Sequence, residues 1–142
     1  MTDDILMNKI ETIRRCLKRI NEEYRGYENE LDSNYTKQDS IILNLERASQ
    51  ATIDISTHLI RLGKLGVPKT SREVFELLKE NQIISSETAE QMKKMVGFRN
   101  IAVHDYQNVS LEIVKSILKN HLVDFEMFIN DIKKHRNRSE NN

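Results

Sequence analysis

Three observations predict an all-α fold, an up-and-down bundle of about five helices. Apolar residues recur at alternating steps of three and four, the 142 residues include only one proline and four glycines, and charged residues make up 31% against 38% hydrophobic. The three–four alternation draws one apolar stripe along a helix. Scarce turn residues leave little room for a sheet with many reversals. The length corresponds to one domain with a sizeable core.

Leu6, Ile10, Ile13, Leu17, Ile20 and Tyr24 place a first helix over roughly Asp4 to Glu30. Asp32-Ser33-Asn34-Tyr35 then reads as a connecting turn with capping chemistry. Ile41, Leu45, Ala48, Thr52, Ile55, Leu59 and Leu62 form a second stripe, which Gly63 or Gly66 ends in the left-handed conformation and Pro68 prevents from continuing. Neither stripe persists beyond about four heptads, so both are read as core rather than as an intermolecular coiled coil. Thr70-Ser71-Arg72-Glu73 has the spacing of a capping box and opens a short third helix through Val74, Leu77 and Leu78. Ser85 or Ser86 caps a fourth through Met92, Met95 and Val96. A fifth starts at Ser110 and carries Leu111, Val114, Leu118, Phe125, Phe128 or Ile129, and Ile132. The domain is placed at residues 1–135, and residues 136–142, which lack an apolar anchor, are expected to form a flexible tail.

Lys plus Arg equals Asp plus Glu at 22 each, so no global field draws in nucleic acid or an anionic membrane, and any RNA binding must be local. One cysteine, Cys16, excludes an intrachain disulfide framework and fits a reducing interior. The acidic opening MTDDILMNKI has no signal-peptide core, and no run approaches 18 apolar residues, so a cytoplasmic location and no membrane association are expected.

The densest chemistry lies in Arg99-Asn100-Ile101-Ala102-Val103-His104-Asp105-Tyr106, at the C-terminal end of the fourth helix. Arg99 offers a planar fork of donors matched to phosphate and keeps its charge at any working pH. His104 is the one type of side chain that changes charge near neutrality without perturbation, so it can take or give a proton. Asn100 and His104, four apart, share a helical face, where the amide could orient the ring or a phosphate oxygen. Arg99 and His104 are five apart, about 140° around the helix, so they converge on one phosphate only at a helix end or with help from a second chain. A plainer reading makes the pair a solvated charge and a helix-dipole partner.

The octapeptide fits R-N-x-x-x-H-x-Y and resembles the signature of the HEPN superfamily, in particular its HepT-like toxin ribonucleases. Similarity extends to Ala51–Ile60 and to Ser71–Leu78 with Ile83-Ile84, covering roughly residues 1 to 135. The resemblance implies a homodimeric bundle with the two motifs facing each other. It also implies a metal-independent endoribonuclease, with no cofactor, in which the ribose 2′-hydroxyl attacks its own phosphodiester. Carried over, Arg99 stabilises the charged transition state, His104 moves the proton and Asn100 positions. The implied partner is a small MNT-type nucleotidyltransferase antitoxin of a type VII-like pair, which inhibits the toxin by attaching AMP to the motif tyrosine, here Tyr106.

Asp54 and His58, four apart, could bind metal or line an RNA groove, but two ligands fall short of a zinc site, and a structural hydrogen bond or ion pair is the simpler reading. Lys93 and Lys94 lead into the motif and could meet RNA phosphates, although a solvated face is the commoner meaning of such a run. The same holds for Lys133, Lys134, Arg136 and Arg138. His121 and His135 read as core-edge and solvent residues, and Cys16 as packing. The rival functions are a non-catalytic nucleotide-binding or substrate-adaptor subunit of a nucleotidyltransferase, and a purely structural helical protein. His104 and Tyr106 together favour the ribonuclease, because phosphate binding alone requires only the arginine.

Overall fold

The computed structural model describes residues 3–141, which form six α-helices and two single 3-10 turns, with no strand among them. Helix α1 runs Asp4–Tyr24, started by Asp3, whose side chain accepts from the Leu6 N–H at 3.0 Å. It stops short of the expected Glu30, because Gly26 takes φ +83° and the chain reverses before a 3-10 turn at Glu28–Glu30. Asn34 caps α2, Tyr35–Gly63, by accepting from the Lys37 N–H. Three side-chain rungs, Lys37–Glu23, Lys9–Asp54 and His58–Asp3, set an antiparallel register between α1 and α2.

Helix α2 is buried on almost every side, against α1, α3, α4 and α6. Its buried Ser49, Thr52 and Ser56 hydroxyls donate to carbonyls of their own helix at 2.7–2.8 Å, so small polar side chains enter the core without an unsatisfied donor. Leu62, placed in the core by the periodicity, is 64% exposed, since the bundle ends before the last turn of α2. The left-handed position after α2 falls on Lys64, at φ 51°, rather than on a glycine. The Leu65 N–H closes the end onto the Ile60 carbonyl at 3.0 Å.

Thr70 accepts from the Glu73 N–H and Glu73 accepts from the Lys69 N–H, a capping box displaced by one residue on its return bond, ahead of α3, Glu73–Glu80. Ser85 caps α4, Ser86–His104, and Ser110 caps α5, Leu111–Asn120. The single fifth helix of the sequence reading is two. The helix breaks at His121-Leu122, where His121 Nδ1 pairs with the buried Asp124 carboxylate at 2.9 Å, and α6 follows over Val123–Asn141. That corner lets Phe125, Phe128, Ile129 and Ile132 turn into the core, and Phe128 meets Phe75 edge to face at 6.2 Å. The expected loose tail is helical as far as Asn141, with Arg136 donating to Glu140 one turn on, and Asn142 lies outside the described residues. Among the described residues, no helix is long and apolar enough to cross a membrane.

Candidate active site

Helix α4 seats Met92, Met95, Val96, Phe98 and Ala102 in the core and packs against α2, α3 and α6, so its last turn emerges from the bundle with a fixed orientation. Arg99 is half-buried there. Its Nη1 donates to Asn100 Oδ1 at 2.7 Å and its Nη2 to Gln50 Oε1 of α2 at 2.6 Å, while the buried Nε–H has no partner among the described residues. Both acceptors are neutral amides, so the guanidinium is oriented with no carboxylate in ion-pair contact among the described residues. Asn100 therefore serves the arginine; its carbonyl does not reach toward His104.

His104 is the last residue of α4, exposed, and makes no side-chain hydrogen bond among the described residues. Its imidazole is open to solvent at the end of the helix. Between Arg99 and His104 the solvent side carries Ile101 and Val103, large apolar side chains 42% and 41% exposed. The backbone then leaves the helix at Asp105, and Tyr106 opens a 3-10 turn. Tyr106 is 45% exposed, yet its hydroxyl is engaged: it donates to Asp39 Oδ1 in the first turns of α2. Burial, then the Asp39 hydrogen bond and the Asp39 and Glu46 charges, push the Tyr106 hydroxyl up to about 12, so it stays protonated at any physiological pH.

Asp39, Glu46, Gln50 and Asp54 fall at steps of seven, four and four on α2 and share one face, which forms the wall opposite the end of α4. Sequence reading missed Asp39, Glu46 and Gln50. Their spacing was the available signal, although nothing local linked that face to residues 49 and 67 positions away. Asp54 and His58 do not meet each other. Asp54 accepts from Lys9 Nζ and from Gln50 Nε2, both at 2.9 Å, and so belongs to the wall. His58 Nε2 instead meets Asp3 Oδ2 at 2.7 Å, which locks the start of α1. Burial pushes the Asp3 carboxyl up, but the Leu6 N–H, His58 and Arg136 outweigh it and leave the group below its ordinary value.

Of the lysines before the motif, Lys93 is held between the Glu76 and Glu90 carboxylates, which compensate its charge. Lys94 is exposed, beside an apolar hollow lined by Phe98, Ile113 and Ile117. A cation that the sequence reading passed over lies against the same helix. The Arg72 guanidinium lies over Gly97, where an added Cβ would come 2.8 Å from its Nη2, and Gly97 shares a face with Ile101 and His104. Cys16 is buried between α1 and its neighbours, and that burial raises its thiol, as suits a packing residue.

The fold is thus an all-helical bundle with an arginine held by two neutral amides and an exposed histidine at the end of α4. The sequence profile of the ribonuclease HepT-like family matches residues 13–132, and the chain belongs to that family. It is 50% identical over 131 residues to the mRNA nuclease HepT of Shewanella oneidensis, covering 92% of this chain and 98% of that one. It is 31% identical over 88 residues to the tRNA nuclease HepT of Aphanizomenon flos-aquae, covering 62% of this chain and 60% of that one. Among solved structures, the tri-AMPylated Shewanella oneidensis HEPN toxin in complex with MNT antitoxin superposes with a TM-score of 0.88 at 48% identity, covering 94% of this chain and 99% of that one.

Proposed function

We propose that this chain is the ribonuclease toxin of a toxin–antitoxin pair and that its partner is an MNT-type nucleotidyltransferase. The observation that carries the reading is the end of α4, where Arg99 is clamped by two neutral amides and His104, five residues on, is exposed and makes no side-chain hydrogen bond among the described residues. The names of the similar proteins, mRNA nuclease, tRNA nuclease and HEPN toxin with MNT antitoxin, support the same reading.

The nucleophile is the ribose 2′-hydroxyl, so no protein serine or cysteine needs activation. As its oxygen bonds to phosphorus and the bond to the 5′-oxygen breaks, negative charge builds on the non-bridging oxygens. Arg99, pre-oriented and carrying its full charge, faces that charge at little reorganisation cost. His104 moves the proton, a role worth about 10²–10⁴ in rate. A cyclic phosphate results, and the chemistry uses no metal. Arg72 supplies a further phosphate contact on the approach to His104. The awkward angular offset of Arg99 and His104, with exposed Ile101 and Val103 between them, supports a homodimer in which a second chain covers this end of α4. AMP attached to Tyr106 would exchange its Asp39 hydrogen bond for a phosphodiester beside the groove and repel an incoming RNA phosphate, which accounts for inhibition.

One experiment tests the reading. His104→Ala and Arg99→Ala should each lower RNA cleavage at least about a hundredfold, with unchanged circular dichroism. Wild-type cleavage should persist in EDTA and leave cyclic phosphate ends. Adding the cognate nucleotidyltransferase with ATP and magnesium should lower cleavage by the wild type and spare Tyr106→Phe. Full activity in His104→Ala would remove the histidine from the mechanism, and binding of the nucleotidyltransferase without any RNA cleavage would favour the adaptor reading.

A further inference from the structure

We propose that Gln50 is the positioning residue for Arg99 and that Asp54 sets the direction in which Gln50 points, making one face of α2 part of the ribonuclease machinery. The proposal rests on the reading of Arg99 as the phosphate-binding group. A continuous polar chain crosses three helices: Lys9 Nζ donates to Asp54 Oδ2 at 2.9 Å, Gln50 Nε2 to Asp54 Oδ1 at 2.9 Å, and Arg99 Nη2 to Gln50 Oε1 at 2.6 Å. The chemistry of each partner allows only this direction. A carboxylate accepts and cannot donate, so Asp54 takes the NH₂ end of the Gln50 amide and leaves the carbonyl end for Arg99.

The neutrality of that carbonyl gives the arrangement its purpose. Lys93, held by two carboxylates on α3 and α4, has its charge compensated by the protein. Arg99, held by Gln50 and Asn100, is as firmly placed and has no carboxylate in ion-pair contact among the described residues. One N–H on each Nη is engaged, which fixes the guanidinium plane before substrate arrives; the Nε–H is buried, and the second N–H of each Nη is left to meet a phosphate. Ordering a long side chain in advance removes that entropic cost from the reaction step. The carboxylate that orients Gln50, Asp54, sits one residue further back along the chain of hydrogen bonds, where Lys9 answers its charge.

The test uses the full-length protein and three substitutions, each checked by circular dichroism and thermal unfolding. In Asp54→Asn the amide of Gln50 loses its fixed direction, and kcat should fall roughly tenfold with KM within about twofold of wild type. Gln50→Leu should behave in the same way. Gln50→Glu, which keeps the shape and the acceptor, places a carboxylate on Arg99 in competition with phosphate and should weaken binding of a 2′-O-methyl RNA about tenfold. That loss should shrink to less than about twofold when Arg99→Ala is already present. Equal losses in both backgrounds would make the glutamate a general repulsion and overturn the proposal, as would wild-type kcat in both Asp54→Asn and Gln50→Leu. The parent reading fails separately: Arg99→Ala would then cleave and bind RNA as the wild type does.

Discussion

Tyr106 illustrates how much one side chain can report. Its hydroxyl is a donor to Asp39, with Glu46 nearby, and its proton is held up to about 12 by burial first and by those carboxylates next. Because the folded value lies above the ordinary tyrosine value of about 10, the neutral form is the one the fold favours. The stability this tie contributes is fully present below pH 10 and is lost as pH rises from there toward 12. An ultraviolet titration of the wild type minus that of Tyr106→Phe should therefore show one late tyrosinate step near pH 12. Asp39→Asn should move that step toward 10, leaving the part due to burial, and an unmoved step would assign the whole shift to burial. The octapeptide made Arg99, His104 and Tyr106 legible in the sequence. Their partners Gln50 and Asp39 were not, because a hydrogen bond across 49 or 67 residues leaves no local pattern.

At the scale of the element, starts were easier to read than ends. Asn34, Ser85 and Ser110 cap helices where their side chains and the following stripes indicated, since an N-cap is one oxygen meeting one N–H three residues on. Ends depend on packing. The first helix ended at Tyr24, with its last stripe residue and just before Gly26, a signal present in the sequence that the reading to Glu30 did not use. The break at His121-Leu122 has neither glycine nor proline; its cause is the corner built by His121 and the buried Asp124, which only the tertiary structure displays. The same corner explains why the apolar positions of the fifth stripe were ambiguous between Phe128 and Ile129. After the break both are fully buried.

For the molecule as a whole, the all-helical fold followed from composition and periodicity, and the balance of 22 basic and 22 acidic residues placed the burden of RNA binding on local charge. Of the Lys93–Lys94 run, Lys93 is paired with Glu76 and Glu90, whereas Arg99 at the end of α4 is held by neutral amides, and pairing of this kind is invisible until helices are packed. Assembly is the remaining question at this scale. A second copy covering Ile101, Val103 and the motif should make light scattering report about twice 16.7 kDa. Replacing both apolar residues, Ile101→Lys with Val103→Lys, should halve that mass and depress cleavage. A monomer that still cuts RNA would show that one chain completes the site.

The end of α2 has a practical corollary. Lys64 holds φ 51° and ψ 48°, a region where a side chain costs about 1 kcal/mol and glycine almost nothing, while Gly63 sits one residue earlier in ordinary helix. The chain thus carries an unclaimed reserve of stability, some fourteen residues and about 20 Å along α2 from Gln50. Lys64→Gly should raise the urea midpoint by the equivalent of about 1 kcal/mol without altering the slope of the transition or the rate of RNA cleavage. A lowered midpoint would mean that the lysine side chain contributes more than its backbone costs. With the expected result, the substitution becomes a neutral background in which destabilising variants of the site can be made and still fold.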